Sequence, residues 1–230
     1  MAVKVSVLGH SYVRRLMEVN KPSNQWKNLN LRESEVIVDF LGRGGGTVQT
    51  LTSREFSSYL TDKQPDVVVL QIGGNDVDRR GSDSVKIAGS ILTIAEWMLC
   101  GFGVKQVCVM QLLFRRGTRN IPVDVYNNRV RAVNQVLKAR VADRSDIQYH
   151  KHRGLKNCVV DIFRPDGFIS TGGMESLSMS VVCGVQRLMH TGNSGFNPVY
   201  LLRCKEPPSE AREGSSGGTA ATAKTILLVV

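Results

Sequence analysis

Five short apolar segments alternate along this chain with segments of helical periodicity, and this alternation constrains the fold more than any other feature. The predicted strands cover residues 3–8, 35–40, 66–72, 104–112 and 146–150, and the predicted helices cover about 12–20, 47–60, 84–100, 123–142 and 173–189. The strand segments VVVL and VCVM are continuously apolar, which is typical of strands covered on both faces. Such alternation predicts βαβ units with right-handed crossovers. We therefore predict an α/β protein, a three-layer α/β/α sandwich around a parallel sheet.

The length of 230 residues fits one domain with an appended segment. The strand–helix pattern stops near residue 190, and residues 205–225 are rich in Pro, Ser, Gly, Thr and Ala. We expect a folded domain over 1–190 and a low-complexity, flexible C-terminal tail over 191–230. No apolar run approaches the roughly 18 residues of a membrane helix, so we predict no membrane span.

The five cysteines form no C-x-x-C pair. This spacing argues against a disulfide framework and against a structural zinc site. No other cluster of metal-ligating residues is evident, so neither a metal nor a cofactor is predicted. Residues 1–9 are too short an apolar run for a signal peptide, and an intracellular, cytoplasmic location is expected.

Positive charge is concentrated in one quarter of the chain. Lys and Arg number 30 against 20 Asp and Glu, and residues 105–156 alone hold twelve basic and three acidic residues. A clustered basic surface attracts phosphates through a salt-dependent Coulomb interaction. The first candidates for nucleic-acid contact are Arg115, Arg116 and Arg119, after the fourth strand. The same charges are also typical of a solvated helix face that maintains solubility.

Small and polar residues follow the predicted strands. The first strand is followed by Gly-His-Ser ending at Ser11, the second by GRGGGT over 42–47, the third by GGND with Asn75, and the fifth by RPDG with Asp166. In open α/β sheets, ligands bind where these loops converge beyond the carboxyl ends of the strands. Each residue also has a structural explanation, because serine caps helices and Gly, Asn and Asp form turns.

A serine at such a turn has a clear chemical use. Ser11 can present its hydroxyl to a carbonyl, while its own backbone N–H, one from the glycine turn and the Asn75 amide form an oxyanion hole. GRGGGT does not complete the G-x-G-x-x-G motif of dinucleotide sites, and nucleotide binding would leave the serine and asparagine unexplained.

These segments resemble the blocks of the SGNH (GDSL-like) hydrolases. VSVLGHSYVRRL over 5–16 resembles the first block, GRGGGTV the second with its glycine at Gly45, and VVLQIGGND the third with Gly73 and Asn75. The similarity covers about residues 3–190 and looks closest to animal SGNH-like domains that begin with GHS-[FY]-V-R-R-L, some of them associated with transposable elements. The resemblance implies a flavodoxin-like five-stranded parallel sheet and acyl-ester hydrolysis. It also implies catalytic roles for Ser11, Gly45, Asn75 and Asp166.

The fourth block departs from the family pattern. The family carries Asp-x-x-His, whose histidine is the general base on the serine, whereas this chain has Asp166 followed by Ile169 at the histidine position. Loss of this base in a serine hydrolase costs about 10⁶ in kcat. His150 and His152, at the exit of the fifth strand, are the candidate substitute bases, because the side chain of His10 is expected to point away from Ser11.

Two functions therefore remain open. One is a serine esterase, or a degenerate relative with weak or no activity, that acts on an ester or acylated substrate. The other is a catalytically inactive binding module with the same fold, which contacts nucleic acid through the basic segment 105–156.

Overall fold

A single parallel sheet organises the computed structural model, which describes residues 1–19, 27–152, 178 and 180–185. Its strands are β1 (Val3–Gly9), β2 (Val36–Gly42), β3 (Val67–Gln71), β4 (Gln106–Met110) and β5 (Ile147–His150). Their spatial order is β2-β1-β3-β4-β5, and all neighbours are parallel. The predicted five-stranded, flavodoxin-like sheet is confirmed.

Helices connect the strands in the predicted places, with three differences. One is a short 3₁₀ segment, Lys27–Asn30, which was not predicted. The helices are α1 (Ser11–Val19), α2 (Arg54–Lys63), α3 (Gly74–Val77), α4 (Ser84–Phe102) and α5 (Val123–Arg140). The single helix predicted over 47–60 is instead a short 3₁₀ helix, Val48–Thr52, and then α2. Ser53 separates them because its backbone is extended. The short helix α3 was not predicted, because GGND indicates a turn when only the sequence is considered.

Helices cover both faces of the sheet, as the predicted three-layer sandwich requires. On one face, residues such as Phe56 of α2, Ile91 of α4 and Val130 of α5 pack against Leu8 and Leu70 of the sheet. The other face is covered by α1 and by helical residues in the range 180–185. There, apolar residues of the helices and of the strands form a second core: Val13, Leu16, Val181, Val182, Val5, Val7 and Val69. The strands are continuously apolar because both faces are buried.

Helix α4 meets the length and composition of a membrane-spanning helix, within the described residues. This corrects the expectation that no segment is long and apolar enough. Its residues Ile87, Ile91, Ala95 and Met98 are buried in the core of the sandwich. A core helix passes the same criteria, so the observation is weak evidence for a membrane span.

The strand order creates a switch point between β1 and β3. From β1 the chain moves to β2 on one side, and then returns to β3 on the other side. The loops that follow β1 and β3 therefore diverge and leave a crevice at the carboxyl edge, which is the usual ligand site of such sheets. Ser11 follows β1 and Asn75 follows β3. The predicted tail over 191–230 lies outside the described residues.

Candidate active site

Ser11 is the first residue of α1, immediately beyond β1. The backbone N–H of Arg14 donates to the carbonyl of His10 at 3.2 Å, so the helix begins at Ser11 and His10 occupies the capping position. The Nδ1 atom of His10 accepts from the backbone N–H of Tyr12 at 3.4 Å. His10 is therefore the N-cap residue of α1, and Ser11 is not required as a cap. The Ser11 side chain is partly exposed at the positive end of the helix dipole.

The glycine-rich loop after β2 forms a tight turn. The backbone N–H of Gly46 donates to the carbonyl of Arg43 at 3.1 Å. Gly45 has a φ of +71°, a conformation that glycine adopts without strain, and no described residue lies within 4 Å of the position where its Cβ would be. The space beside Gly45 is thus open at the carboxyl edge of the sheet.

The Asn75 side chain joins this turn to the loop after β3. Its Nδ2 donates to the carbonyl oxygen of Gly46 at 2.8 Å, and its Oδ1 accepts from Nη2 of Arg115 at 2.9 Å. These two partners fix which end of the amide is oxygen and which is nitrogen. Because Nδ2 carries two hydrogens, one remains for a further acceptor. The neighbouring Asp76 carboxylate accepts from the backbone N–H of Val48 at 3.1 Å, which holds the segment after the turn.

His10 is a poor general base despite its place next to Ser11. The side chain is buried, and this burial, together with the nearby Arg115 guanidinium, lowers its pKa to about 3. A general base works best when its pKa lies near the operating pH. Moreover, its Nδ1 is already the acceptor for Tyr12.

The two proposed substitute bases meet at Ser180. His152 Nδ1 lies 2.6 Å from the Ser180 hydroxyl, His150 Nε2 lies 3.3 Å from it, and His152 Nε2 lies 3.0 Å from the carbonyl oxygen of Gln111. Both ring nitrogens of His152 are therefore engaged, and burial lowers its pKa to about 3. Among the described residues, no imidazole nitrogen is hydrogen-bonded to the Ser11 hydroxyl. A base role for either histidine stays a prediction, and this geometry does not favour it for His152.

Two residues of the predicted fourth block cannot be located relative to this site. Asp166 and Ile169 lie outside the described residues. The structure does bring the other three predicted blocks, with Ser11, Gly45 and Asn75, to the same edge of the sheet.

Arg115 is the site residue that the sequence did not assign to this edge. The sequence groups Arg115 with Arg116 and Arg119 as a candidate nucleic-acid contact, but its side chain is only 13% exposed and is hydrogen-bonded to Asn75. Such burial does not suit contact with a phosphate backbone. Arg116 and Arg119 are exposed, as that prediction requires. No pattern in the sequence distinguishes Arg115 from its neighbour.

The described residues contain no group of three or more His, Cys, Asp or Glu side chains placed to hold a metal ion. The described cysteines, Cys100, Cys108 and Cys183, form no disulfide with one another.

The chain is similar to solved structures of an esterase and of two lipases. A carbohydrate esterase family 3 protein from Talaromyces cellulolyticus superposes with a TM-score of 0.60 at 16% identity, covering 84% of this chain and 100% of that one. A GDSL-like lipase from Bacteroides thetaiotaomicron gives 0.58 at 15% identity, covering 80% and 88%. A lipase/acylhydrolase from Enterococcus faecalis gives 0.56 at 18% identity, covering 80% and 96%.

Similarity at the level of sequence is much weaker. No protein-family model and no curated protein matches the sequence of this chain. Identities of 15–18% to the three structures establish a shared fold rather than a shared activity. The chain thus has the three-layer α/β fold of the SGNH, or GDSL-like, hydrolases.

Proposed function

We propose that this chain is an SGNH-type serine hydrolase of acyl esters, or a degenerate relative with weak activity. Ser11 attacks the ester carbonyl, the ester C–O bond breaks, and the alcohol leaves with the proton that the serine hydroxyl gives up. Water then hydrolyses the acyl-enzyme, which releases the carboxylic acid and restores the serine hydroxyl. The backbone N–H groups of Ser11 and Gly45 and the Asn75 amide stabilise the oxyanion. The observation that carries the proposal is the bond from Asn75 Nδ2 to the Gly46 carbonyl, since it joins two of the three motifs at the edge where Ser11 begins α1.

The acyl esterase activity is expected to be slow. Activation of a serine requires a neighbouring base, and burial leaves both His10 and His152 with a pKa of about 3. Oxyanion stabilisation and binding alone leave about 10³–10⁴ of rate over water in serine hydrolases that lack triad members. Asp166 and Ile169 resemble a fourth block without its histidine, which supports a weak or inactive member of the family.

A fluorophosphonate probe tests whether Ser11 is a nucleophile. We expect covalent labelling of the wild-type chain at Ser11, identified by peptide mass spectrometry, and no labelling of the Ser11→Ala variant. Ser57→Ala is the matched control, because Ser57 lies on α2 and its hydroxyl donates to the carbonyl of Ser53. A wild-type chain that is neither labelled at Ser11 nor able to hydrolyse short-chain acetyl esters contradicts the proposal.

A second candidate function is nucleic-acid binding without catalysis. It is supported by the exposure of Arg116 and Arg119 on the loop after β4, within the segment of twelve basic and three acidic residues. Proteins that neutralise phosphates release counterions, so their affinity falls as salt rises.

A salt series measures this binding directly. We measure the Kd for a labelled RNA or DNA oligonucleotide by fluorescence anisotropy. We expect log Kd to rise linearly with the logarithm of the salt concentration. The Arg116→Gln/Arg119→Gln variant should reduce the slope by up to about 2 if both arginines contact phosphates. Arg54→Gln/Lys63→Gln on α2 removes the same charge elsewhere and serves as the control. Absence of binding at low salt argues against this function.

A further inference from the structure

The backbone of Arg115 is held in place independently of the contacts of its guanidinium. Its backbone N–H donates to Oδ1 of Asn127 at 3.0 Å, and its carbonyl accepts from Nδ2 of the same side chain at 3.0 Å. Asn127 belongs to α5, a long helix packed in the core. Two hydrogen bonds therefore hold the loop after β4 against α5 at residue 115.

The guanidinium is enclosed at the candidate site. Nη1 lies 3.5 Å from Oδ2 of Asp78, whose side chain is 4% exposed, and the guanidinium carbon lies 5.0 Å from the centre of the Tyr126 ring. Asp78 is itself fixed, because its carboxylate accepts from the backbone N–H groups of Arg119 and Asn120. Contact with Asp78 and the ring leaves the guanidinium little rotational freedom.

Gly74 makes room for this arrangement. A Cβ at Gly74 would lie 3.1 Å from Nη2 of Arg115, 3.2 Å from the Tyr126 hydroxyl and 3.5 Å from Nε2 of His10. The second glycine of GGND thus lets the arginine approach the short helix that carries Asn75.

The bond from Arg115 to Asn75 bears directly on the oxyanion hole. Nη2 donates to Oδ1 of Asn75 at 2.9 Å, and the Asn75 Nδ2 is bound on its other side to Gly46. A hydrogen bond from an ionised donor is about twice as strong as a neutral one, and it polarises the amide. The polarised Nδ2–H is a better donor to developing negative charge, and it is held without reorganisation.

We propose that Arg115 is a positioning residue of the oxyanion hole, which fixes and polarises the Asn75 amide through its Oδ1. The kinetic consequence rests on the proposed serine chemistry, whereas the effect on the Asn75 amide does not. The two can therefore be tested separately in the same variants.

The first test observes the Asn75 amide itself in the full chain. The side-chain ¹H–¹⁵N signals of Asn75 are assigned by their loss in Asn75→Asp. In Arg115→Met we expect these signals to move and their exchange with water to accelerate about tenfold, since a net hydrogen bond of ~1.4 kcal/mol corresponds to that factor. Arg54→Met, which removes an exposed arginine on α2, should leave them unchanged. Unchanged Asn75 signals in Arg115→Met overturn the proposal.

The second test measures the reaction. In Arg115→Met, the rate of Ser11 labelling and the kcat for a short-chain ester should fall about 10–100-fold with KM within threefold, because loss of a whole oxyanion donor costs about 10²–10³ in kcat. Arg54→Met, on the exposed face of α2, should retain both values. Equal labelling rates in Arg115→Met and wild type overturn the kinetic part. A wild-type chain that is not labelled disproves the serine chemistry instead, and the amide signals still decide the role of Arg115.

Arg115→Lys is a second variant, which tests the proposal even if Arg115→Met does not fold. Lysine keeps the charge but lacks the planar fork that reaches two acceptors. We expect its Asn75 signals to move in the same direction by a smaller amount. If Arg115→Met does not fold, unchanged Asn75 signals in Arg115→Lys overturn the proposal.

Discussion

Replacing Ile169 by histidine is expected to raise ester hydrolysis by about 10²–10⁴, the usual contribution of a positioned general base. The physical reason is that Ser11 lacks an imidazole partner among the described residues, while Ile169 matches the histidine position of the block that Asp166 begins. The measurement is kcat/KM for a short-chain acetyl ester. It should show a pH dependence with a midpoint near the ordinary histidine pKa of about 6.5, rising as the imidazole loses its proton.

Two controls separate a restored active site from an accidental one. Ile169→Leu retains an apolar side chain and should behave like the parent chain. The double variant Ile169→His/Ser11→Ala should lose the gain, because an imidazole that acts through Ser11 has no nucleophile left to activate. A gain that survives in the double variant would mean direct attack by the new imidazole. No gain at all would mean that position 169 is not beside Ser11.

The described histidines explain why a new base should have so large an effect. Burial brings the pKa of His10 and of His152 to about 3, far below neutral pH, so neither is matched to proton transfer there. In addition, the hydrogen bonds of His152 to Ser180 and Gln111 connect the ends of β4 and β5 with the helical residues that follow. Such a bond network suits a structural role.

The strands were predictable because both faces of the sheet are buried, so their sequences are apolar without interruption. Segments such as VVVL in β3 are apolar throughout, since helices cover both faces of a parallel sheet. Helix boundaries were harder to predict where side chains compete with the backbone for hydrogen bonds. At Thr47, the backbone N–H donates to the Thr50 hydroxyl, and this local bonding accompanies the short 3₁₀ helix in place of one long α-helix.

The candidate site was predictable only in part, for a related reason. Ser11 and Asn75 come soon after the ends of strands. Because such loops converge at the carboxyl edge of the sheet, both residues could be predicted to lie at the site. Arg115 contacts Asn75 across 40 positions of sequence, and its neighbour Arg116 has the same chemistry but is exposed. Contacts with Asn75, Asn127 and Asp78 distinguish the two arginines, and all three are long-range.

The position of Ser11 depends on two glycines that face each other across β1 and β2. Gly9 and Gly42 are register partners at the ends of these strands. A Cβ at Gly42 would lie 2.2 Å from the backbone nitrogen of Arg14 and 2.7 Å from the carbonyl carbon of Val13. These are backbone atoms of α1, so they cannot yield without displacement of the helix. Helix α1 thus lies against the strand ends only because no side chain intervenes.

Gly42→Ala is therefore expected to lower the free energy of unfolding by about 3 kcal/mol, the upper part of the range for overpacked cores. The change should also shift α1, and with it Ser11, so labelling of the folded fraction should slow as well. Urea denaturation followed by circular dichroism measures the first effect, and the fluorophosphonate rate measures the second.

Gly117→Ala is the matched control, because a Cβ there meets no described residue within 4 Å and the glycine does not need a left-handed backbone. An exposed substitution of this kind changes the unfolding free energy by about 0.5 kcal/mol or less. If Gly42→Ala were as stable as Gly117→Ala, the close approach of α1 to β2 would be wrong. The proposed position of Ser11 beside the glycine turn would then lose its support, since α1 carries the serine and β2 leads into the turn.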